Sequence, residues 1–385
     1  MSQSITSSVG LERYQASLFG LAEQGRLRTL EPRSGHDFSS NDYLGLAASK
    51  RLRCAVSAAI ARGTAIGAGG SRLLRGNYPE HEELEAHAAA FFHCERTLFF
   101  GSGYIANFAV LSTLPQRDDL VIFDELIHAS VREGVRAGRA ASVEARHNDV
   151  GAVETLIRTW RTDGGTGRIW IAAESLYSMD GDRAPLDDLM TLADRHEAFL
   201  VIDEAHATGV FGPDGCGLAA SFEGLENVIV LHTCGKALGG AGALLSVPRV
   251  FCDFLVNRCR PFIFSTAPSP LLAVAALEAL KILKEEPDRR EALAHLVAYA
   301  SREAHARCGL SASGSQILPV IIGGDQRTMQ IASKLRERGF DVRGVRPPTV
   351  PPGTARLRIS LTLNVDEAVI AGLFDALAEL RVFET

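Results

Sequence analysis

The sequence lacks any excess of basic residues: 40 lysines and arginines face 46 aspartates and glutamates, a net charge of −6 in 385 residues. The positive field that would hold a polyanion is therefore missing, and we expect no nucleic acid partner. No apolar run reaches the roughly 18 residues that a membrane span needs, and the first residues carry no basic, apolar secretion signal. We expect a cytoplasmic protein without a membrane partner.

Cysteines are also few, and they are scattered. The seven cysteines are odd in number and widely spaced, so we expect reduced thiols rather than a disulfide framework. Two histidines, His81 and His87, lie six positions apart in HEELEAH. On a helix they would face different directions, unlike the i, i+4 pair of a zinc helix, and we expect no metal site.

Short runs of β-branched and aromatic residues recur through the middle of the sequence, and segments with helical periodicity separate most of them. This alternation predicts an α/β fold with a mostly parallel seven-stranded sheet, covered by helices on both faces. The hydrophobic content of 46% is sufficient for its core. The predicted strands are residues 97–100, 120–123, 142–145, 169–172, 200–202, 228–231 and 243–247.

The pattern changes after residue 268, where a long amphipathic helix begins. Two further predicted strands, 318–322 and 356–361, and a last helix from Asp366 indicate a smaller C-terminal α+β domain. Near the other end, a helix over residues 11–24 precedes an arginine-rich arm. We therefore predict an N-terminal helix and arm (1–50), a large α/β domain (51–268) and a small C-terminal domain (269–385).

Polar clusters follow five of the predicted strands. In an open α/β sheet the carboxyl ends of the strands form the edge where ligand crevices lie, so these clusters predict one shared site. Solvation of loops would explain their polarity, but not the repeated choice of aspartate, histidine, serine and threonine. The clusters are residues 101–104, 124–128, 174–178, 203–206 and 233–236.

Only five lysines are present, and one of them has an unusual setting. Lys236 lies among small and apolar residues directly after a predicted buried strand, whereas the other four lie in charged, solvated segments. A desolvated amine shifts toward its neutral, nucleophilic form, which Schiff-base chemistry requires. A buried ion pair with a carboxylate is the alternative explanation.

Three enzyme classes could explain these features. The segment GSGYIA at 101–106, with Asp124 about 20 residues on, matches a dinucleotide-binding unit, but a dehydrogenase would leave Lys236 without a role. DEAH at 203–206 is a helicase sequence, but the phosphate-binding G-x-x-x-x-G-K-[ST] is missing. An aldehyde cofactor with one phosphate, held by Lys236, uses all five clusters at once.

Several motifs of the sequence resemble those of a known enzyme family. DEAH, followed 30 residues later by T-x-G-K-A-x-G at 233–239, resembles the α-oxoamine synthases among the fold-type I pyridoxal-phosphate enzymes. Further similar segments span nearly the whole chain, and the last of them favours the members that join L-alanine to a pimeloyl thioester. These segments are FSSNDYLGL (38–46), GAGGSRLLRGNYPEHEELE (67–85), ESLYSMDGDRAPL (174–186) and RPPTVPPGTARLRISLT (346–362).

The resemblance implies an aminotransferase-like transferase with a catalytic set around pyridoxal 5'-phosphate. Lys236 would hold the cofactor as an imine and later act as the base that removes the alanine α-proton. Asp203 would pair with the pyridine nitrogen. His206 and Ser178 would contact polar atoms of the cofactor, and His128 would stack on its ring and meet the substrate.

The resemblance also implies phosphate and substrate contacts. The phosphate would lie against Gly103 and Tyr104 with Thr233, while Ser265 and Thr266 would reach it from the other subunit of a homodimer. Arg358 would bind a substrate carboxylate, and Thr349 the acyl substrate. An N-terminal arginine would also meet substrate; Arg28 is the first choice and Arg26 its rival.

The implied reaction is a decarboxylative condensation of L-alanine with a pimeloyl thioester in biotin biosynthesis. The carrier of the thioester is either coenzyme A or acyl carrier protein. The alternatives are the sister activities of 2-amino-3-ketobutyrate ligases, 5-aminolevulinate synthases and serine palmitoyltransferases. The non-enzymatic alternative is a structural protein that binds the cofactor without catalysing a reaction.

Overall fold

The strands form three sheets in the computed structural model, which describes residues 10–311 and 313–380. In chain order the strands are β1 (His36–Asp37), β2 (Arg96–Phe100), β3 (Leu120–Asp124), β4 (Ala141–Ala145), β5 (Ile169–Glu174), β6 (Phe199–Asp203), β7 (Val228–Thr233), β8 (Ala243–Val247), β9 (Ile317–Gly323), β10 (Phe340–Asp341), β11 (Arg343–Val345) and β12 (Ala355–Ser360).

Helices precede, separate and follow these strands. They are α1 (Glu12–Glu23), α2 (Lys50–Ala61), α3 (Pro79–Phe91), α4 (Gly103–Thr113), α5 (Ala129–Ala137), α6 (Val150–Thr162), α7 (Leu186–Arg195), α8 (Arg249–Arg258), α9 (Arg260–Ile263), α10 (Pro270–Glu285), α11 (Asp288–Cys308), α12 (Asp325–Glu337) and α13 (Glu367–Glu379). No helix in the described residues combines the length and apolarity that crossing a membrane requires.

The large sheet has the strand order β2-β8-β7-β6-β5-β3-β4. Strand β8 runs antiparallel to both neighbours, and the remaining pairs are parallel, so the predicted mostly parallel seven-stranded sheet is confirmed. The antiparallel step has a simple cause. Residues 234–242 join β7 to β8, and this connection is too short for the crossover that a parallel pair needs.

Both faces of the large sheet are covered, which explains why its strands read as continuous apolar runs. Along β3, Val121 and Phe123 pack with α4 and α5 on one face. Leu120 and Ile122 pack with α6 and α7 on the other. The helices leave the strand ends uncovered, and the polar clusters lie there.

The C-terminal region is built on the antiparallel sheet β11-β12-β9. Leu335 of α12 and Phe374 of α13 are buried in a core with this sheet. The two-residue strand β1 pairs with β10 and thereby joins the N-terminal segment to this region. The domain bounds stay a prediction, and residues 1–9, 312 and 381–385 of the predicted domains lie outside the described residues.

Candidate active site

A cleft of about 1030 Å³ lies at the carboxyl edge of the large sheet, facing β12. Its walls come from the loops after β3, β5, β6 and β7, from the N-terminal arm and from the segment before β12. Eight of the residues singled out in the sequence line it: Arg26, Arg28, His128, Ser178, His206, Lys236, Thr349 and Arg358.

Lys236 lies in the connection between β7 and β8, and its Nζ is 2.7 Å from His206 Nε2. Burial lowers the pKa of Lys236 to about 8, although Asp203 and Glu174 oppose that shift through their charges. A substantial fraction of the amine is therefore neutral in mildly alkaline solution. This is the state that a nucleophilic or basic lysine needs.

His206 also begins a chain of hydrogen bonds through two further polar side chains. Its Nδ1 is 2.6 Å from Tyr43 Oη, and Tyr43 Oη is 3.0 Å from Asn41 Oδ1. Burial holds the pKa of His206 well below its ordinary value, so the ring is neutral. When Lys236 is protonated it can only donate to Nε2, and Nδ1 must then donate to Tyr43.

Asp203 ends β6 as a buried carboxylate at the back of the site. Asn107 Nδ2 donates to its Oδ2 at 2.6 Å, and the Ala205 amide donates to its Oδ1 at 2.8 Å. Asn107 Nδ2 also lies 3.0 Å from Ser130 Oγ, which is 2.7 Å from His128 Nδ1. One asparagine therefore links Asp203 to His128.

His128 caps the N-terminus of α5, since its Nδ1 accepts from the Ser130 amide at 3.3 Å. Because Nδ1 accepts, Nε2 carries the ring proton. Burial lowers the pKa of His128, which favours this neutral form. The Tyr104 ring meets the His128 ring edge to face at 6.3 Å.

Helix α4 begins at Gly103, directly after β2, and Ser102 caps it by accepting from the Ile105 amide. A Cβ at Gly103 would lie 3.5 Å from Thr233 Oγ1. A helix N-terminus and a threonine hydroxyl are thus side by side. Free amides and a helix dipole at such a terminus favour a phosphate group.

Arg358 on β12 is 7% exposed and reaches the cleft. Its Nε donates to the Ser178 carbonyl at 2.6 Å and its Nη1 to Ser360 Oγ at 2.7 Å. Among the described residues, no carboxylate forms an ion pair with it. Arg356, two residues earlier, is instead paired with Asp180.

The two N-terminal arginines differ in their partners. Arg28 Nη2 donates to Thr349 Oγ1 at 3.3 Å across the mouth of the cleft. Arg26 Nε is 2.5 Å from Asp325 Oδ2, so its charge is already compensated. This difference favours Arg28 over Arg26 as a ligand for an anionic substrate.

Two predicted residues are not brought to this site. Ser265 and Thr266 are exposed in the segment between α9 and α10, and neither lines the cleft of its own chain. A role at the phosphate therefore requires them to come from another subunit.

Sequence reasoning placed Glu174 in a polar cluster but gave it no role. Glu174 ends β5 beside Asp203, its register partner on β6. Its Oε2 accepts from the Ser178 amide at 3.0 Å, and its Oε1 is buried without a partner. Burial and the charge of Asp203 raise the pKa of Glu174 to about 8.

Tyr43 and Asn107 were also missed. Asn107 is an amide in the otherwise apolar start of α4, and this contrast was a usable signal for a functional role. Tyr43 and Asn41 lie inside the quoted FSSNDYLGL segment, but nothing in a single sequence shows that Tyr43 reaches His206 and Asn41 reaches Tyr43.

The residues present fit pyridoxal phosphate. The Lys236 amine suits the aldehyde, and the helix N-terminus beside Thr233 suits the phosphate. Asp203, which forms no ion pair with any other described residue, suits the pyridine nitrogen.

The family model for class I and II aminotransferases matches residues 34–377. An 8-amino-7-oxononanoate synthase of Anaeromyxobacter dehalogenans is 43% identical over 382 residues, covering 94% of each chain. The protein of that name from Chromobacterium violaceum is 41% identical over 354 residues, covering 91% of each.

Solved structures are similar over nearly the whole chain. A serine palmitoyltransferase of Sphingomonas wittichii has a TM-score of 0.87 at 25% identity, covering 99% of this chain and 100% of that one. One from S. paucimobilis with bound PLP and myriocin has the same score and identity over 97% and 98%. An 8-amino-7-oxononanoate synthase of Francisella tularensis has a TM-score of 0.74 at 28% identity over 90% and 98%.

Proposed function

The chain belongs to the class I and II aminotransferases and, within them, to the 8-amino-7-oxononanoate synthases, and from this membership we propose its reaction. It condenses L-alanine with a pimeloyl thioester to give 8-amino-7-oxononanoate, carbon dioxide and the free thiol. A carbon–carbon bond forms between alanine Cα and the acyl carbon, the thioester C–S bond breaks, and the alanine carboxylate leaves as carbon dioxide. The family and the fold predicted from sequence are confirmed by the same relatives.

The observation that carries the proposal is the enclosed Lys236 amine in the cleft, 2.7 Å from His206. Pyridoxal phosphate, when bound, supplies an aldehyde that captures amines and a ring that accepts the electron pair of an adjacent Cα–H bond. Lys236 Nζ would hold the cofactor through its aldehyde. As a free amine, the same group would take the α-proton of alanine and later return one.

His206 and Asp203 set the protonation states around that amine. His206 is neutral and can receive a hydrogen bond from the Lys236 ammonium without adding a second positive charge. Asp203, fixed by Asn107 and the Ala205 amide, supplies the negative charge that keeps a pyridine nitrogen protonated. His128 and Ser178 border the cofactor space, and Gly103, Tyr104 and Thr233 receive its phosphate.

Two arginines account for the carboxylates of the substrates. Arg358 offers a buried guanidinium to the α-carboxylate of alanine, and its planar donors suit a bidentate contact. Arg28 and Thr349 face each other at the mouth of the cleft, where the acyl chain enters. The carrier of that chain, coenzyme A or acyl carrier protein, stays outside the enclosed part of the site.

We further propose a homodimer with a shared active site, in which Ser265 and Thr266 meet the phosphate bound to the other subunit. Their exposure in the single chain favours this arrangement. All seven cysteines are unpaired, as is usual in a reducing compartment, and on that ground we propose a cytoplasmic location.

A serine palmitoyltransferase-like activity is the second candidate. The structural similarity to these enzymes, with a TM-score of 0.87, exceeds the 0.74 of the Francisella tularensis synthase. A shared backbone does not decide substrate choice, however, and the identities of 41–43% point to the synthases.

A panel assay tests the proposal. The purified protein, supplied with pyridoxal phosphate, receives alanine, glycine or serine together with pimeloyl, acetyl, succinyl or palmitoyl coenzyme A, and released thiol and carbon dioxide are measured. We expect alanine with the pimeloyl thioester to give the highest kcat/KM. Preference for serine with the palmitoyl thioester would establish the second candidate instead.

A further inference from the structure

His147 lies just after β4 and forms hydrogen bonds to the loops that follow β3 and β5. Its Nδ1 is 2.9 Å from Asp124 Oδ1, and its Nε2 is 2.8 Å from Asp182 Oδ2. A ring whose two nitrogens both face carboxylate oxygens must carry a proton on each, so His147 is an imidazolium. Neither His147 nor Asp182 lines the cleft.

The neighbouring residue strengthens the same two contacts. The Asn148 amide donates to Asp124 Oδ2 at 2.8 Å, and its Nδ2 lies 2.8 Å from Asp182 Oδ2. Asn148 has a φ of 54°, in the left-handed region that asparagine tolerates better than most residues. The His147 amide also donates to Glu125 Oε1 at 2.9 Å.

The two loops joined in this way carry residues of the cleft. The loop after β3 leads from Asp124 to His128, and the loop after β5 contains Ser178 and Asp182. The Ser178 carbonyl in turn accepts from Arg358 Nε at 2.6 Å. A shift of Asp182 would therefore be transmitted to Ser178 and to the guanidinium bonded to it.

We propose that His147 is a positioning residue, which bridges Asp124 and Asp182 and so fixes the loops that carry His128 and Ser178 on two sides of the cofactor site. The inference rests on the proposed function only through the roles given to His128 and Ser178.

The charges around His147 agree with a permanent bridge. Burial by itself would lower the pKa of His147, but the hydrogen bonds and charges of Asp124 and Asp182 outweigh it and raise the pKa to about 10. Glu125 and Tyr177 are the other ionisable groups that meet it from the two loops; burial and nearby carboxylates raise the pKa of Tyr177, which stays neutral. The bridge therefore stays charged at neutral pH.

The test uses the holoenzyme and the variants His147→Gln, Asp182→Asn and their combination. Glutamine is neutral and carries both of its donor hydrogens on one nitrogen, so it cannot reproduce the charged bridge that the two ring nitrogens form between the carboxylates. The control is His295→Gln. His295 Nδ1 also faces a carboxylate, Glu367 Oε1 at 3.4 Å, but both of these side chains are exposed. Amide hydrogen exchange, the circular dichroism of bound pyridoxal phosphate and kcat are measured.

We expect His147→Gln to accelerate exchange in residues 124–129 and 175–184 by about tenfold or more while exchange elsewhere is unchanged. Cofactor dichroism and kcat should fall with it, and the double variant should be no worse than His147→Gln, because both changes break one bridge. The control should match the wild type.

Unchanged exchange in either loop, or additive effects in the double variant, would overturn the proposal. If His147→Gln fails to fold, Asp182→Asn decides alone, since it leaves the Asp124 contact in place. The exchange and dichroism readouts need no thioester, so they decide the role of His147 even if the panel assay finds a different substrate.

Discussion

Lys236 is half-buried and Glu174 is buried at the carboxyl edge of the large sheet, and desolvation shifts their pKa values toward each other. It lowers the pKa of Lys236 and raises that of Glu174, both to about 8. Each group is therefore driven toward its neutral form near the same pH. Sites with ionisable groups shifted in this manner are typical of acid–base chemistry, which agrees with the role proposed for the Lys236 amine.

The first prediction concerns that amine. Lys236→Ala should lower kcat/KM by about 10²–10⁴-fold or more, because it removes both the nucleophile and the base. Borohydride reduction of the wild-type holoenzyme should attach the cofactor to the peptide containing Lys236, as read by mass spectrometry. The exposed Lys284→Ala serves as control and should retain wild-type activity. Labelling of any other lysine would contradict the assignment.

The second prediction separates the two arginines of β12. Arg358→Lys should weaken alanine binding by about tenfold or more, because a lost charge-assisted hydrogen bond is worth roughly 1.5–3 kcal/mol. Arg356→Lys should leave alanine affinity nearly unchanged, because Arg356 is paired with Asp180. Alanine titrations followed by the cofactor absorbance measure both. The reverse result would transfer the carboxylate contact to Arg356.

Among the elements, the strands of the large sheet could be predicted from sequence almost to their ends. Each predicted strand has its observed counterpart, but several observed strands continue into polar residues, such as Asp124, Glu174, Asp203 and Thr233. Sequence patterns assign such residues to loops, since polarity usually means exposure. Here they are buried at the strand ends, so the pattern fails at the edge of the sheet where the proposed site lies.

Other elements gave weaker signals. Helix α11 spans Asp288–Cys308 but has only three buried residues, and its mixed polarity offers no clear apolar face. The β1–β10 pair consists of two residues on each side, too short for a periodicity. Pairing of segments about 300 positions apart depends on tertiary packing, which a local pattern does not encode.

The third prediction concerns the packing of α5, which His128 caps, on α4, which begins at Gly103. A Cβ at Gly134 would lie 2.9 Å from Phe108 Cα, and backbone cannot yield as a side chain can. Gly134→Ala should therefore destabilise the protein by about 1–3 kcal/mol and weaken cofactor binding, because the helix ends must separate. Thermal unfolding and cofactor titration measure the two effects.

The matched control for this change is Gly20→Ala in α1. Nothing lies within 4 Å of a Cβ built at Gly20, and alanine favours a helix over glycine. This variant should lose no stability. If Gly134→Ala is equally harmless, the close approach of the two helices does not limit the fold.

In the whole molecule, the cleft combines segments that are distant in sequence. Arg28 comes from the N-terminal arm, Lys236 from the connection between β7 and β8, and Thr349 and Arg358 from the C-terminal region. The residues themselves could be named from the family resemblance. Their convergence depends on how the small sheet packs against the large one, which no pattern in the chain expresses.

The surface around Ser265 and Thr266 bears on the proposed homodimer. Phe264 beside them is 74% exposed. The Ala267 amide donates to the Gly70 carbonyl, so the segment around Gly70 adjoins this region. That segment carries Leu74, which is 79% exposed, and Ile66, which is 76% exposed. Large apolar side chains grouped in this way are typical of interaction sites. A second copy of the chain would cover them and bring its Ser265 and Thr266 toward the site.

The last prediction tests this sharing directly. If Lys236 of one subunit works with Thr266 of the other, a heterodimer of Lys236→Ala and Thr266→Asp chains contains one intact site and one doubly altered site. Each homodimer should have little activity, because one lacks the amine and the other places a negative charge against the phosphate. The heterodimer, isolated through two different tags, should recover about half of the wild-type activity per dimer, since one of two symmetry-related sites is restored. Activity no greater than the average of the two homodimers would mean that each site draws both residues from a single chain.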